Sequence, residues 1–421
     1  MLNGPYRVRT NSEQLRDVYA CDLARSSSSC HTPDLTIEAY NKALRSMMEN
    51  RALLRDCGAM ISSLGLTERN GDCQLGAARP LPITLRPTPV PKKVLNDIYH
   101  LSALVARIMD CASLDSGWTA EHIESCSSGS TGLIGLWHRV IGDVKCHREQ
   151  HRNDIRLNIL QQDYACGSSG QPALLKVRAT PEFAGVPQKV SCLHRMTALT
   201  SSLDKIGECE LPDNKPANEI ATAIAESVRL YNERFHRSSR DICIVTSKGN
   251  DASTDNDDRL IEAALLMNHG IASHRRTARE LAGDVVEMDA RESGVVTVTS
   301  VLDSSRRIEV ALFYFQHGSI DWDDEIDRQF RFDMERSKAV KCPSLEACVA
   351  ELGEMQISWR SDADKFFPAA GLVEQPSDEL LKAIAPRDGV AEDTKDTTLC
   401  AVIDVRRVSD TSSCRWCAGE A

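Results

Sequence analysis

Much that would mark a function is missing from this chain. No stretch of its 421 residues approaches the roughly 20 successive apolar residues of a membrane span. The opening "MLNGPYRVRTNSEQLRD" has no apolar segment of the kind a secretory signal needs, so a cytoplasmic protein off the membrane is expected. Net charge is −11 and no basic stripe stands out, which argues against a nucleic-acid partner. The 16 cysteines are scattered singly and read as reduced, mostly buried thiols. The one CxxC, Cys414 to Cys417, stands alone near the end and is a weak metal signal. In "CHREQH" (146–151), His147 and His151 are one helical turn apart. The Glu is in the wrong place for a zinc-protease helix, so a solvated face is the better reading.

What is present is ordinary for a globular protein: 42% hydrophobic and 26% charged residues, in a chain long enough for two or three cores. Residues 35–57 carry Ile37, Tyr40, Leu44, Met47 and Met48 at helical spacing, with Asp34 to cap the helix and Gly58 to stop it. The proline-rich 77–92 must be extended. It leads into a helix over 93–110 with Val94, Leu95, Ile98, Leu101, Val105 and Ile108 on one stripe. "SSGSTGLIGLWHRV" (127–140) opens like a phosphate loop, but neither Pro-Lys-Gly nor Gly-Lys-Ser/Thr follows. Ser130 or Thr131 is better read as the cap of a helix striped by Leu133, Trp137, Val140, Ile141 and Val144.

Strands are expected at 154–164 and 173–179. From 217 helices and strands alternate: helix 217–235, strand 242–247, helix 257–269, strands near 271–274, 294–301 and 308–315, and a charged helix at 323–340. That alternation predicts a parallel sheet with crossover helices, an α/β class that is α+β overall. "IEVALFYF" (308–315) is apolar enough to be a central strand buried on both faces, and Gln316-His317-Gly318-Ser319 would stand at its carboxyl end, where such sheets bind ligands. After about 360 the apolar periodicity thins, and "RDGVAEDTKDTTLC" and the last twenty residues read as poorly ordered.

Five blocks resemble the eukaryotic-type glutathione synthetases, in the family's order, over residues 80 to 356. They are "ITLRPTPVPKKVLNDIYHLSALVARI", "RLNILQQDY", "FAGVPQKVSCLHR", "DDRLIEAALLMNHGIASHRRT", and "IEVALFYFQHGS" with "ERSKAVKCPSLEACVAELGEMQ". The resemblance implies a permuted ATP-grasp fold, a homodimer, and ligation of γ-glutamylcysteine to glycine with ATP and magnesium. It also suggests the partition 1–75 (helical, no motif), 76–215 (first part of the ATP-grasp fold), 216–345 (substrate-binding α/β domain) and 346–421 (divergent remnant and tail).

The machinery that the resemblance implies is altered at every block. The family strand that supplies a metal-binding Glu and Asn corresponds to "LLKVRATPEFAG", with Arg178 at the Glu and Thr180 at the Asn; in the other register Glu182 falls at a substrate-contacting Ser. A guanidinium there repels a cation. Gln161 replaces a substrate-binding Arg, while Asp163 and Tyr164 persist. Asp258 replaces a substrate-contacting Gln. In the Arg-x-Gly-Tyr that follows the family's central strand, Gln316 stands for the Arg and Ser319 for the Tyr, beside His317 and the retained Gly318. A neutral amide loses the forked contact to a carboxylate, worth ~2–5 kcal/mol when buried. Gly353 and Glu354 fall where an ATP-contacting Lys is expected, and no Gly-Gly-Gly or Lys-Pro-Gln occurs. The expectation is therefore no catalytic, ATP-binding or metal residue. Three readings stand: a ligase making a thiol peptide, a non-catalytic paralogue paired with itself or an active synthetase, or an incomplete gene model of an active enzyme.

Overall fold

The computed structural model describes residues 51–69, 78–81, 83, 90–126, 131–143, 155–166, 171–181, 185–200, 214–247, 252–283, 287–288, 294–300, 303, 305–370, 378–385, 397–408 and 415–418. The helix expected from residue 35 lies outside them up to residue 50, as do 146–151, Ser130, Val144, Glu182 and Cys414. The first elements are α1 (Arg51–Ser63), β1 (Thr67–Arg69), β2 (Ala78–Pro80), α2 (Lys92–Leu114), α3 (Ser116–His122) and α4 (Thr131–Asp143). Then come β3 (Ile155–Cys166), β4 (Pro172–Arg178), α5 (Val186–Thr200), α6 (Pro216–Phe235), β5 (Asp241–Thr246), α7 (Ala252–His269), β6 (Ala272–Thr277) and α8 (Ala278–Gly283). Next are β7 (Glu287–Met288), β8 (Val296–Thr299), β9 (Arg307–Glu309), β10 (Leu312–Phe315), α9 (Glu325–Glu335) and β11 (Val340–Cys342). The last described are α10 (Leu345–Ala350), α11 (Gly353–Ser361), α12 (Ala363–Phe366), α13 (Asp378–Ile384), β12 (Thr397–Val408) and β13 (Arg415–Ala418). Among the described residues no helix is long and apolar enough to cross a membrane.

The chain divides into two units, one of residues 1–92, 183–216 and 251–259, the other of 93–182, 217–250 and 260–421. In the first unit α1 does not stop at Gly58, which sits mid-helix. It runs to Ser63 and ends at Gly65, whose φ of +63° is the left-handed conformation glycine adopts without strain. The Leu66 N–H reaches back to the Ile61 carbonyl at 3.0 Å and the Gly65 N–H to Ser62 at 3.0 Å, which satisfies carbonyls left open at the helix end. Packing overrides the propensity cost of Gly58: Ile61, Leu66 and Leu193 form a core, with Met60, Val186 and Val190 against it.

The second unit holds the parallel sheet that the alternating pattern predicts, in the order β11-β10-β5-β6. The expected strand 308–315 is two strands. Residues 307–309 pair antiparallel in a small sheet, β7-β8-β9, and only Leu312–Phe315 joins the parallel sheet. Apolar content cannot reveal such a break, because Val310 and Ala311 between the two strands are as buried as their neighbours. Phe313 and Phe315 pack with Phe330 and Met334 of α9 in the main core. Helix α9 is shorter than the predicted 323–340. Asp324 caps it, accepting from the Ile326 and Asp327 N–H groups, and β11 follows the helix.

The tail is also corrected. A second sheet, antiparallel, has the order β13-β12-β3-β4, and β12 pairs with β3 from Thr397↔Cys166 to Val408↔Ile155. "TTLCAVIDVRRV" alternates Leu399, Ala401, Ile403 and Val405 with other residues, a period-2 signal that the helix-based thinning beyond residue 360 hid.

Candidate functional site

Strand β3 carries a Gln-Gln-Asp-Tyr run whose alternate residues go to different partners. Gln162 and Tyr164 are buried: the Tyr164 hydroxyl donates to the Gln162 side-chain carbonyl, and the Gln162 amide donates to the Ser102 carbonyl of α2 at 3.0 Å. Gln161 and Asp163 meet β4 instead. Gln161, directly across from Arg178, gives its amide N–H to one oxygen of Asp163 at 3.1 Å. The Arg178 guanidinium lies 3.5 Å from the other oxygen. One carboxylate thus holds both side chains.

The end of β4 is gripped from α10 and α11. The Gln356 amide takes both backbone groups of Val177, accepting from its N–H and donating to its carbonyl at 2.9 Å each, as a neighbouring strand would. The Ala179 N–H donates to the Glu351 carboxylate at 3.0 Å. Arg360, buried, donates to the Leu174 carbonyl at 2.8 Å and to Ile384 at 2.6 Å. These three side chains fix where Arg178 and Thr180 emerge.

Thr180 then meets the carboxyl end of β10, its hydroxyl 3.2 Å from His317 Nδ1. The Gln316 N–H still bonds Val245 of β5 at 3.0 Å, and the Ser319 N–H turns back to the Gln316 carbonyl at 3.0 Å. Gly318 has φ +66°, so the retained glycine answers to backbone conformation; a side chain there would meet nothing within 4 Å. His317 is exposed and Ser319 buried.

Five of the residues singled out from the sequence, Gln161, Arg178, Thr180, His317 and Gly318, therefore lie along one path joining the ends of β4 and β10, with Gln316 and Ser319 in the same turn. Asp258 does not join them: it lies on α7 within the first unit, and its side chain is outside the described ones. Gly353 opens α11. Sequence reasoning missed Gln356, Glu351 and Arg360 as supports, because a side chain that grips a distant backbone leaves no local pattern. Among the described residues no three His, Cys, Asp or Glu converge as a metal site requires.

The sequence model of the eukaryotic glutathione synthase ATP-binding domain matches residues 50–342. Glutathione synthetase of Bos taurus is 25% identical over 290 residues, 65% of this chain and 55% of the relative. That of Xenopus laevis is 24% identical over 351 residues, 80% of this chain and 68% of the relative. The chain thus spans little more than half the length of several relatives it matches. Among solved structures, an apo glutathione synthetase-like effector (GSS30) from Globodera pallida superposes with a TM-score of 0.56 at 16% identity, over 79% of this chain and 69% of that one. This likeness supports the same α/β, ATP-grasp type of fold. With a domain match over most of its length, blocks in matching order and a shared fold, the chain belongs to the eukaryotic glutathione synthase family.

Proposed function

We propose that this chain keeps the family scaffold without its ligase chemistry, and serves as a non-catalytic paralogue in a dimer with itself or with an active synthetase subunit. The observation that carries this is the Arg178–Asp163–Gln161 group. A hard cation such as magnesium takes oxygen ligands, chiefly carboxylates. The carboxylate at this spot already accepts from Gln161 and faces Arg178 at 3.5 Å. Magnesium would have to displace a guanidinium whose fixed charge opposes it. Beyond it stand one neutral oxygen donor, the Thr180 hydroxyl, and the His317 imidazole, a nitrogen donor that magnesium takes poorly. The residues present do not fit magnesium.

The test is a thermal melt of the full chain with Mg-ATP. A ligand at ~100 times its Kd adds about 2.7 kcal/mol to the folded state, which moves the midpoint of a protein this size by a few degrees. The expected result is no shift at millimolar Mg-ATP. A shift of several degrees with micromolar affinity would overturn the proposal. The competing reading, an active ligase for γ-glutamylcysteine and glycine, is favoured by the matched ATP-binding domain and by the relatives' names. It requires ADP release that depends on both substrates.

A further inference from the structure

A concave site of about 380 Å³ opens in the second unit, between α4 and the segment leading into α9, and none of the site residues discussed above lines it. Gly132, Gly135, Leu136, Arg139, Asp323 and Arg328 line it. We infer that it binds a small oxyanion-bearing molecule, specifically an acidic amino acid or comparably small amino-carboxylate.

The argument begins with how the two arginines are held. The Arg139 guanidinium lies 3.7 Å over the Phe332 ring. Arg328 donates one N–H to the Trp322 carbonyl at 2.6 Å. Both anchors are neutral. Among the described residues neither guanidinium is paired with a carboxylate, although charged partners are plentiful nearby: Arg279 pairs with Asp324 at 2.7 Å and Arg336 with Asp143 at 3.6 Å. A guanidinium fixed by a ring or a carbonyl keeps its charge and its outward N–H donors, and those donors match the two oxygens of a carboxylate. Fixing the side chains beforehand also lowers the entropy that a ligand must overcome.

The wall is built for close approach. A Cβ on Gly132 would lie 1.9 Å from the Trp322 carbonyl oxygen, so α4 meets the segment before α9 at a distance only glycine allows. A Cβ on Gly135 would meet nothing within 4 Å, so that glycine leaves bare backbone facing open space. Leu136 supplies the apolar floor. Among the described residues Asp323 is the one carboxylate lining it, against the two arginines. An amino-carboxylate satisfies all three, its carboxylates on the arginines and its ammonium on Asp323. The volume lies within the range of small-molecule pockets, ~300–1,000 Å³.

The test is isothermal titration of the full chain with L-glutamate, succinate and inorganic phosphate at fixed chloride. Glutamate is expected to bind saturably with a Kd below about 1 mM. R139Q and R328Q should each weaken it at least tenfold, while D323N weakens glutamate but leaves succinate unchanged. Both Arg→Gln variants should melt at the wild-type temperature; if R328Q does not, R139Q alone decides, since its side chain is exposed. Saturable phosphate binding that R139Q abolishes, with none for glutamate, would keep the oxyanion site and overturn the amino-carboxylate assignment. No saturable binding by any of the three, or binding that survives R139Q with R328Q, overturns the whole inference.

Discussion

Arg331 is 1% exposed, with its Nε donating to Glu335 at 2.7 Å and an Nη to the Pro343 carbonyl at 2.8 Å. Its guanidinium also lies 3.9 Å over the Phe315 ring, at the carboxyl end of the strand that leads to His317. Taking this charge out of water is costly, and the pair contributes little net stability over an apolar isostere. Removing one partner is another matter, because Glu335 would remain buried and uncompensated. Arg331→Ala is expected to cost ~3–5 kcal/mol in urea unfolding, and Arg331→Met with Glu335→Leu to recover most of that. A loss under about 1 kcal/mol for the single variant would show that water reaches the carboxylate. The cysteines behave differently. Burial pushes the Cys243 thiol up to about 12, so it is an inert core group at neutral pH; among the described cysteines Cys57, Cys111 and Cys342 are buried as well, Cys126 and Cys348 half-buried and Cys192 exposed.

Elements differed in how legible they were, for physical reasons. Helix α2 was readable from its stripe: Val94, Ile98, Leu101, Val105 and Ile108 are buried and Leu95 half-buried, although from Leu101 on the burial spreads well beyond the stripe, with Ser102, Leu104, Ala106 and Met109 buried too. The turn after β10 was readable because Gln-His-Gly-Ser interrupts an apolar run. Its junction with Thr180 was not, since nothing in the sequence sets the distance between residues 137 positions apart. Arg178 could be aligned by resemblance with the Glu of the family strand, but its engagement by Asp163 needed the cross-strand register. β12 was missed because a two-residue period was overlooked where a helical one faded. The pairing of β12 with β3 now makes a prediction. Successive N–H groups of a strand point to opposite edges, so of Val402 and Ile403, opposite Gln161 and Leu160, one must donate towards β3. Proline at that position removes the donor and leaves a β3 carbonyl unsatisfied, at about 1–3 kcal/mol. Of Val402→Pro and Ile403→Pro, one should lower the melting midpoint markedly more than the other and speed amide exchange at the β3 residue facing it, Gln161 or Leu160 respectively. Two variants that both melt like the wild type would mean that β12 does not pair there in solution.

At the scale of the whole molecule, the decisive feature is that the first unit is assembled from separated stretches. Its core needs Ile61 and Leu66 from one stretch and Leu193 from another, and between those stretches residues 93–182 lie in the second unit, so the contacts that close this core are far apart in sequence. A small core drawn from distant segments has few contacts to lose. Leu193 is fully buried at its centre, and Leu193→Ala should cost ~2–5 kcal/mol through lost burial and the cavity left behind. The cost falls on one unit only, which the distribution of tryptophan makes measurable. All five tryptophans, Trp118, Trp137, Trp322, Trp359 and Trp416, lie in the second unit. In Leu193→Ala, far-ultraviolet circular dichroism should show an early transition as α1 and α5 melt, while tryptophan fluorescence keeps the wild-type midpoint. If the two probes instead fall together at a lower temperature, the units share one cooperative transition.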